Sequence, residues 1–107
     1  MVSAGCFTIP PDHPCLAGHF PGQPIVPGVV LLDHALSLIG HAIPEMLLAG
    51  IPSVKFLWPV LPGHMVEVSY EGGSLAHTGS SARLTFVCTV EGRAVVRGSF
   101  ALRESVE

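Results

Sequence analysis

Three residues in the first third of the chain have the types and spacing needed for acid–base chemistry. His19 lies within residues 12–27, where a proline or glycine recurs every few residues. That density excludes regular helix and central strand and predicts a rigid loop that can fix a catalytic side chain. Gly28 lies at the start of an apolar helix, and Asp33 follows about one turn later.

Each of these residues also has a plain structural interpretation. A lone histidine in a loop is more often structural than catalytic. Asp33 is either a buried carboxylate that needs polar partners or an exposed acid favoured by the helix dipole. Gly28 is either a point where a ligand approaches unpaired backbone N–H groups or an ordinary helix start.

Together the three residues fit one reaction class. Removing a proton α to a thioester carbonyl needs a base and stabilisation of the oxyanion, and expelling a β-hydroxyl needs an acid. His19, Gly28 and Asp33 supply these roles in a 3-hydroxyacyl thioester dehydration. The remaining histidines lack ligand spacing and no cysteine pair accompanies them, so we expect no metal site. The chain has an odd number of cysteines, Cys6, Cys15 and Cys88, which predicts buried free thiols.

The elements that must position these residues form a simple series. A short strand at residues 6–9 precedes the loop, and a helix runs from near Gly28 to Ile43 with apolar residues nearly all round, which predicts burial on most sides. Strands are predicted at 53–58, 65–71, 82–90 and 94–102, with Glu91-Gly92 as a tight hairpin turn. The series predicts one α+β domain, residues 1–107, with an antiparallel meander packed on and wrapped around the helix.

The composition indicates an oligomer. Apolar residues make up 49% of the chain and charged residues 12%, against about 25% charged in a typical domain. We therefore expect apolar surface to be buried in a two-fold homo-oligomer. The best apolar run, residues 25–32, is interrupted by proline and glycine and is too short to span a membrane, which takes about 18–20 apolar residues.

The termini and the charge exclude further classes. No basic start precedes a long apolar stretch, which leads us to expect a cytoplasmic protein. The net charge of −3 argues against nucleic acid as a partner. Four of the five basic residues, at positions 83, 93, 97 and 103, lie in the last quarter. They form either a patch for an acidic partner or a solvated strand face, and charge alone favours the second.

Two segments resemble a known family. Residues 18–33, GHFPGQPIVPGVVLLD, resemble the active-site segment of the 3-hydroxyacyl-acyl-carrier-protein dehydratases of the hotdog fold. Residues 55–63, KFLWPVLPG, followed by VEV at 66–68, resemble the second landmark of that family, a strand that leads into a Pro-Gly turn. The resemblance covers nearly the whole chain, from about Ile9 to Phe100.

The resemblance implies a hotdog fold and an obligate homodimer, or a higher oligomer, with the active site at the subunit interface. His19 of one chain would face Asp33 of the other and abstract the α-proton. Asp33, protonated or holding a water, would assist loss of the hydroxyl, and the N–H of Gly28, with that of Val29, would polarise the carbonyl. The product would be a trans-2-enoyl thioester of fatty-acid or related lipid or polyene biosynthesis.

The resemblance also implies the partner and the binding residues. The (3R)-3-hydroxyacyl substrate would arrive on the phosphopantetheine of an acyl carrier protein, and no further cofactor would be needed. The residues expected to contact substrate are Phe20, Pro27, Val29 and Ser37. Since the carrier is acidic, the resemblance favours a basic docking patch that involves Lys55, Arg83, Arg93 or Arg97.

Two departures from the family keep alternatives open. Asp33 matches the dehydratase–isomerase branch, where the broad-range branch has glutamate, but this chain is much shorter, and one residue does not predict isomerase activity. Ser37 replaces the glutamine that usually orients the acid, so either a water completes the network or the site is less efficient or differently used. The short chain is more like the dehydratases of aryl-polyene and related lipid clusters. A hotdog thioesterase, which usually lacks the paired histidine, and a non-catalytic acyl-binding module are the alternatives.

Overall fold

The computed structural model describes residues 1–10, 25–72 and 81–104 of the chain. Its elements, in chain order, are β1 (Val2–Thr8), α1 (Gly28–Ala42), β2 (Met46–Phe56), β3 (Met65–Gly72), β4 (Ser81–Val90) and β5 (Arg93–Glu104). The five strands form one antiparallel sheet in the order β1-β3-β4-β5-β2, and α1 packs on one of its faces. The predicted α+β arrangement of one helix and an antiparallel sheet is confirmed.

The position of β2 differs from the predicted meander. Only β3, β4 and β5 are joined as successive neighbours, whereas β2 pairs with β5 and lies at the opposite edge of the sheet from β1. β2 also begins at Met46, seven residues before the predicted start at Ser53. The connection from β2 to β3 contains Pro59 and Pro62 and is too long for a tight hairpin, so it carries the chain across the sheet instead.

The turn between β4 and β5 is the hairpin that the sequence predicts. Val90 pairs with Arg93, and Glu91 and Gly92 form the two-residue connection. Both have positive φ, at 50° and 81°. A turn of this kind requires positive φ at both central residues, which glycine adopts without steric cost.

The helix is fully buried along one face and half-buried on the flanks of that face. Its fully buried residues are Leu31, Ala35 and Ile39, spaced four apart so that they face the sheet together. Val29, on the other side, is 72% exposed. Leu32 and Leu36 on the flanks are half-buried against the core, so the predicted burial extends over most of the helix except the stripe that contains Val29. Within the described part of the chain, no helix is long and apolar enough to cross a membrane.

The core lies between this helix face and the inner face of the sheet. Phe86 on β4 stacks on Phe100 on β5, with ring centroids 4.4 Å apart and planes inclined by 7°. Cys88 is buried beside them, and burial raises the pKa of its thiol to about 12. The prediction of buried free thiols is confirmed for Cys88 and wrong for Cys6, which is exposed. Cys6 pairs with Glu67 on the outer face of the sheet, the face opposite the core. Cys15 lies outside the described residues.

Candidate active site

Among the residues that the structure describes, the start of α1 presents two backbone donors without a partner. The carbonyl of Pro27 accepts hydrogen bonds from the N–H groups of Val30, at 3.0 Å, and Leu31, at 3.3 Å. The N–H groups of Gly28 and Val29 therefore precede the first intrahelical bond, and no side chain caps the helix at Pro27. Two donors and the positive end of the helix dipole are left available to an acceptor.

An apolar groove of about 590 Å³ begins at this helix terminus. Gly28, Val29 and Leu32 line one side, and residues 56–60 line the other. The N–H of Val26 donates a hydrogen bond of 2.8 Å to the carbonyl of Val60, which fixes the helix approach against the opposite wall. An apolar groove that ends on free N–H groups fits an acyl chain whose carbonyl oxygen accepts from them.

Gly28 is the point of closest approach between the two walls. A Cβ atom at this position would lie 2.7 Å from the Cε1 and Cζ atoms of Phe56. Real Cβ atoms essentially never approach other atoms so closely. The absence of a side chain at Gly28 therefore lets the Phe56 ring close over the helix start.

The variant Gly28→Ala should lose activity while keeping its fold. The new methyl group must displace the Phe56 ring, which is 51% exposed and free to rotate. We expect the free energy of unfolding to change by less than about 1 kcal/mol, and kcat/KM for the 3-hydroxyacyl thioester predicted from the sequence to fall by about a hundredfold through misplacement of the carbonyl. Thermal unfolding and enoyl formation measure the two effects.

Gly40→Ala is the matched control, because a Cβ atom there meets nothing within 4 Å and should leave kcat/KM unchanged. Wild-type turnover by Gly28→Ala would contradict the role given to the helix terminus.

Three of the predicted site residues share one face of α1. Val29, Asp33 and Ser37 follow one another at intervals of four, opposite the buried stripe, and all three are exposed. His41 continues this face, and its Nδ1–H donates a hydrogen bond of 2.8 Å to the Ser37 carbonyl. Of the two interpretations left open for Asp33, the exposed acid is the one observed in the protomer.

The structure does not describe the residue that is proposed to face Asp33. His19 and Phe20 lie outside the described residues, so their predicted roles stay predictions. Among the residues that are described, no hydrogen bond or ion pair reaches the Asp33 carboxylate. No group of three or more histidine, cysteine, aspartate or glutamate side chains is placed to hold a metal ion in that same part of the chain.

Three of the four predicted partner-binding residues form one basic cluster. Lys55 on β2 lies directly opposite Arg97 on β5, and Arg83 on β4 shares their outer-face cleft of about 400 Å³. Like charges directly opposite each other on neighbouring strands are destabilising. Within residues 1–10, 25–72 and 81–104, none of the three forms an ion pair. We call Lys55, Arg83 and Arg97 the basic cluster.

Arg93, the fourth predicted partner residue, is separate from the basic cluster. Its guanidinium carbon lies 4.6 Å from the centroid of the Trp58 ring. Arg93 follows the hairpin turn at the end of β5 that is nearest Trp58, so it lies apart from the other three residues, and the partner-binding role of all four stays a prediction.

The wall formed by residues 56–60 is the part of the site that the sequence analysis missed. Phe56 and Trp58 are 51% and 54% exposed, and Leu57 between them is 40% exposed. A usable signal was present, because three consecutive large apolar residues at a strand end cannot all face the core of an alternating strand. Such a run indicates a surface that a ligand or a second subunit covers.

Comparison with known sequences places the chain in a family. The sequence model of the family described as "ApeI-like: ApeI dehydratase" matches residues 3–99. The 3-hydroxyacyl-[acyl-carrier-protein] dehydratase FabZ of Haemophilus influenzae is 36% identical over 69 residues, which cover 56% of this chain and 47% of that protein. The FabZ of Myxococcus xanthus is 30% identical over 99 residues, covering 83% of this chain and 63% of the relative. The chain thus spans about half to two thirds of the length of these relatives.

Solved structures agree on the fold. The dehydratase heterocomplex ApeI:P from Xenorhabdus doucetiae has a TM-score of 0.75 and 25% identity, and the match covers 92% of this chain and 84% of that chain. A thioesterase from Thermus thermophilus, complexed with coenzyme A and Zn, has a TM-score of 0.67 at 18% identity, covering 95% and 84%, and shows the fold alone. The predicted hotdog fold and the predicted resemblance are both confirmed, and the chain belongs to the ApeI-like family of hotdog dehydratases.

Proposed function

We propose that this chain dehydrates (3R)-3-hydroxyacyl thioesters, carried on an acyl carrier protein, to trans-2-enoyl thioesters. The observation that carries the proposal is the apolar groove that ends at the free N–H groups of Gly28 and Val29, with Asp33 about one turn further along the same helix. Membership of the dehydratase family and likeness to FabZ relatives support the reaction type.

The residues divide the reaction between them. His19 removes the α-proton as a base, and the electron pair moves towards the carbonyl oxygen, where the N–H groups of Gly28 and Val29 stabilise the developing charge. As the Cα–Cβ double bond forms, the C–O bond at the β-carbon breaks and Asp33 delivers a proton to the leaving hydroxyl. Water departs, and the proton on His19 returns to Asp33 to complete the cycle.

A second copy of the chain completes this site in our proposal. Asp33 lies on the exposed face of α1 beside Val29, so a facing subunit can bring a base to it. The edge strand β2 adds exposed apolar side chains at Leu47, Leu48 and Ile51. Unpaired strand edges and apolar patches are surfaces that a second subunit covers. The similar structure from Xenorhabdus doucetiae is a heterocomplex, which supports oligomeric assembly, although its subunits are unlike.

The basic cluster gives the carrier protein a docking place. Carrier proteins are acidic, and the three cations of the cluster lie together without a carboxylate partner among the residues described. Lys55 immediately precedes Phe56, whose ring forms part of the groove wall. Docking on the cluster would therefore place the carrier next to the strand that leads into the groove, and complementary charge would speed the encounter.

One assay tests the reaction and separates it from its alternatives. We expect a 3-hydroxyacyl carrier-protein thioester to yield the enoyl thioester, detected by mass spectrometry, with no free thiol released. Release of thiol would overturn the proposal in favour of a thioesterase. Binding without either product would identify a non-catalytic acyl-binding module.

A further inference from the structure

A second cleft adjoins the apolar groove at Trp58. It measures about 360 Å³, and Trp58 and Pro59 line both the cleft and the groove. The cleft also contains His64, Glu91 and Arg93. The apolar groove therefore opens, at one end, beside a group of polar side chains that the proposed reaction does not use.

Backbone hydrogen bonds join the two segments that carry Arg93 and Trp58. The carbonyl of Val95 accepts hydrogen bonds from the N–H groups of Leu57, at 2.8 Å, and Trp58, at 3.4 Å. These bonds fasten the segment after β2 to the first residues of β5, where Arg93 follows the hairpin turn. The guanidinium carbon of Arg93 lies over the indole ring, and N–H groups that do not face the ring are available to an acceptor.

The charges around Arg93 leave it free to bind an anion. Glu91 lines the same cleft, but within the described ranges Arg93 forms no ion pair with it or with any other carboxylate. The N–H of Leu61 donates a hydrogen bond of 3.1 Å to Nδ1 of His64. Nδ1 is therefore the acceptor, and Nε2 carries the hydrogen as a further donor among the residues of the cleft.

We propose that Arg93, seated on Trp58, binds the phosphate of the phosphopantetheine arm while the acyl thioester occupies the groove. This inference rests on the proposed function. A ligand with an anionic phosphate and an apolar acyl chain matches a cationic mouth that continues into an apolar groove. A guanidinium can donate two parallel hydrogen bonds to a phosphate, which an ammonium cannot do. Arg93 is thus a substrate-binding residue with a different task from that of the basic cluster.

Two small thioesters that differ only in the phosphate isolate this contact. Wild-type protein should convert 3-hydroxyacyl-4′-phosphopantetheine with a KM about tenfold lower than that of the same acyl-pantetheine, since a charge-assisted hydrogen bond contributes that much. Arg93→Gln should remove this difference by raising KM for the phosphopantetheine thioester about tenfold. Arg103→Gln is the control, because it removes an exposed cation of the same strand outside both clefts, and should keep the difference.

Two outcomes would overturn the inference. One is a phosphate preference that survives in Arg93→Gln, and the other is an equal rise of KM for both thioesters, which would mean that Arg93 only supports the groove wall. If the proposed function is wrong, the result is distinguishable, because wild-type protein would then form no enoyl product from either thioester. Calorimetric binding of phosphopantetheine and pantetheine to wild type and Arg93→Gln would still test the phosphate contact in that case.

Discussion

An equimolar mixture of His19→Ala and Asp33→Asn chains, assembled together, is expected to recover about one quarter of wild-type dehydratase activity. Each variant alone should be at least about a hundredfold slower than wild type, because each lacks one partner of the acid–base pair. Asp33 is exposed in the protomer, so its replacement by asparagine should leave the free energy of unfolding within about 0.5 kcal/mol of wild type.

The recovery follows from the two-fold symmetry of the proposed dimer. About half of the dimers in the mixture contain one chain of each kind, and one of the two sites in such a dimer receives both His19 and Asp33. The other site receives neither. Co-expression with two different affinity tags isolates the mixed dimers, whose activity should be about half that of wild type.

Co-assembly of wild type with a chain carrying both substitutions provides the control. Mixed dimers would then contain no complete site, so the activity of a fixed amount of wild-type chain should fall to about half at an equimolar ratio. Mixed dimers of the two single variants that stay inactive, together with no loss in this control, would place both residues of the pair in one chain and refute the shared site.

Gly98→Ala should cost about 3 kcal/mol of unfolding free energy or more, because its effect cannot be relieved by side-chain rotation. A Cβ atom at residue 98 would overlap the carbonyl oxygen of Ser53 and lie 2.9 Å from the Cα atom of Val54. Both are backbone atoms of β2, so the two strands must separate where Val54 pairs with Gly98. For a domain of this size the melting temperature should fall by at least about 12 °C.

Gly40→Ala is again the matched comparison, since it makes the same chemical change on the exposed side of α1. A Cβ atom there meets nothing within 4 Å, and alanine favours a helix over glycine by about 1 kcal/mol. Thermal unfolding followed by circular dichroism should show Gly98→Ala destabilised and Gly40→Ala slightly stabilised relative to wild type. Equal melting temperatures for Gly98→Ala and wild type would show that β2 and β5 do not approach each other as closely as described.

The parts of the fold that depend on neighbouring residues were predictable from the sequence. Pro27 and Gly28 predict the start of α1, and Glu91-Gly92 predicts the hairpin between β4 and β5. The neighbour of β2 was not predictable, because period-two patterns locate a strand without stating which strand it joins. Pairing between Lys55 and Arg97 joins residues that are far apart in the sequence, and only the folded sheet reveals it.

The candidate site likewise has parts that were predictable from the sequence and parts that were not. The donors at Gly28 and Val29 and the common face of Asp33 and Ser37 follow from helix geometry alone. The groove wall and the contact between Arg93 and Trp58 depend on where β2 ends relative to β5, which is a tertiary property. The cytoplasmic location, the single domain, the absence of further cofactors, the aryl-polyene assignment and the role of His19 stay predictions.

The free edge of β2 has a consequence for how the protein is made. Among the described strands β2 lies at an edge, so Leu47, Leu48 and Ile51 combine backbone groups that no described strand pairs with exposed apolar side chains. This combination favours association with other incompletely folded chains. Two irregularities in its register, between Leu48 and Gly50 and between Gly50 and Ser53, bend this edge and hinder indiscriminate strand pairing. If a second subunit covers this edge as proposed, association and aggregation of newly synthesised protomers compete for the same surface.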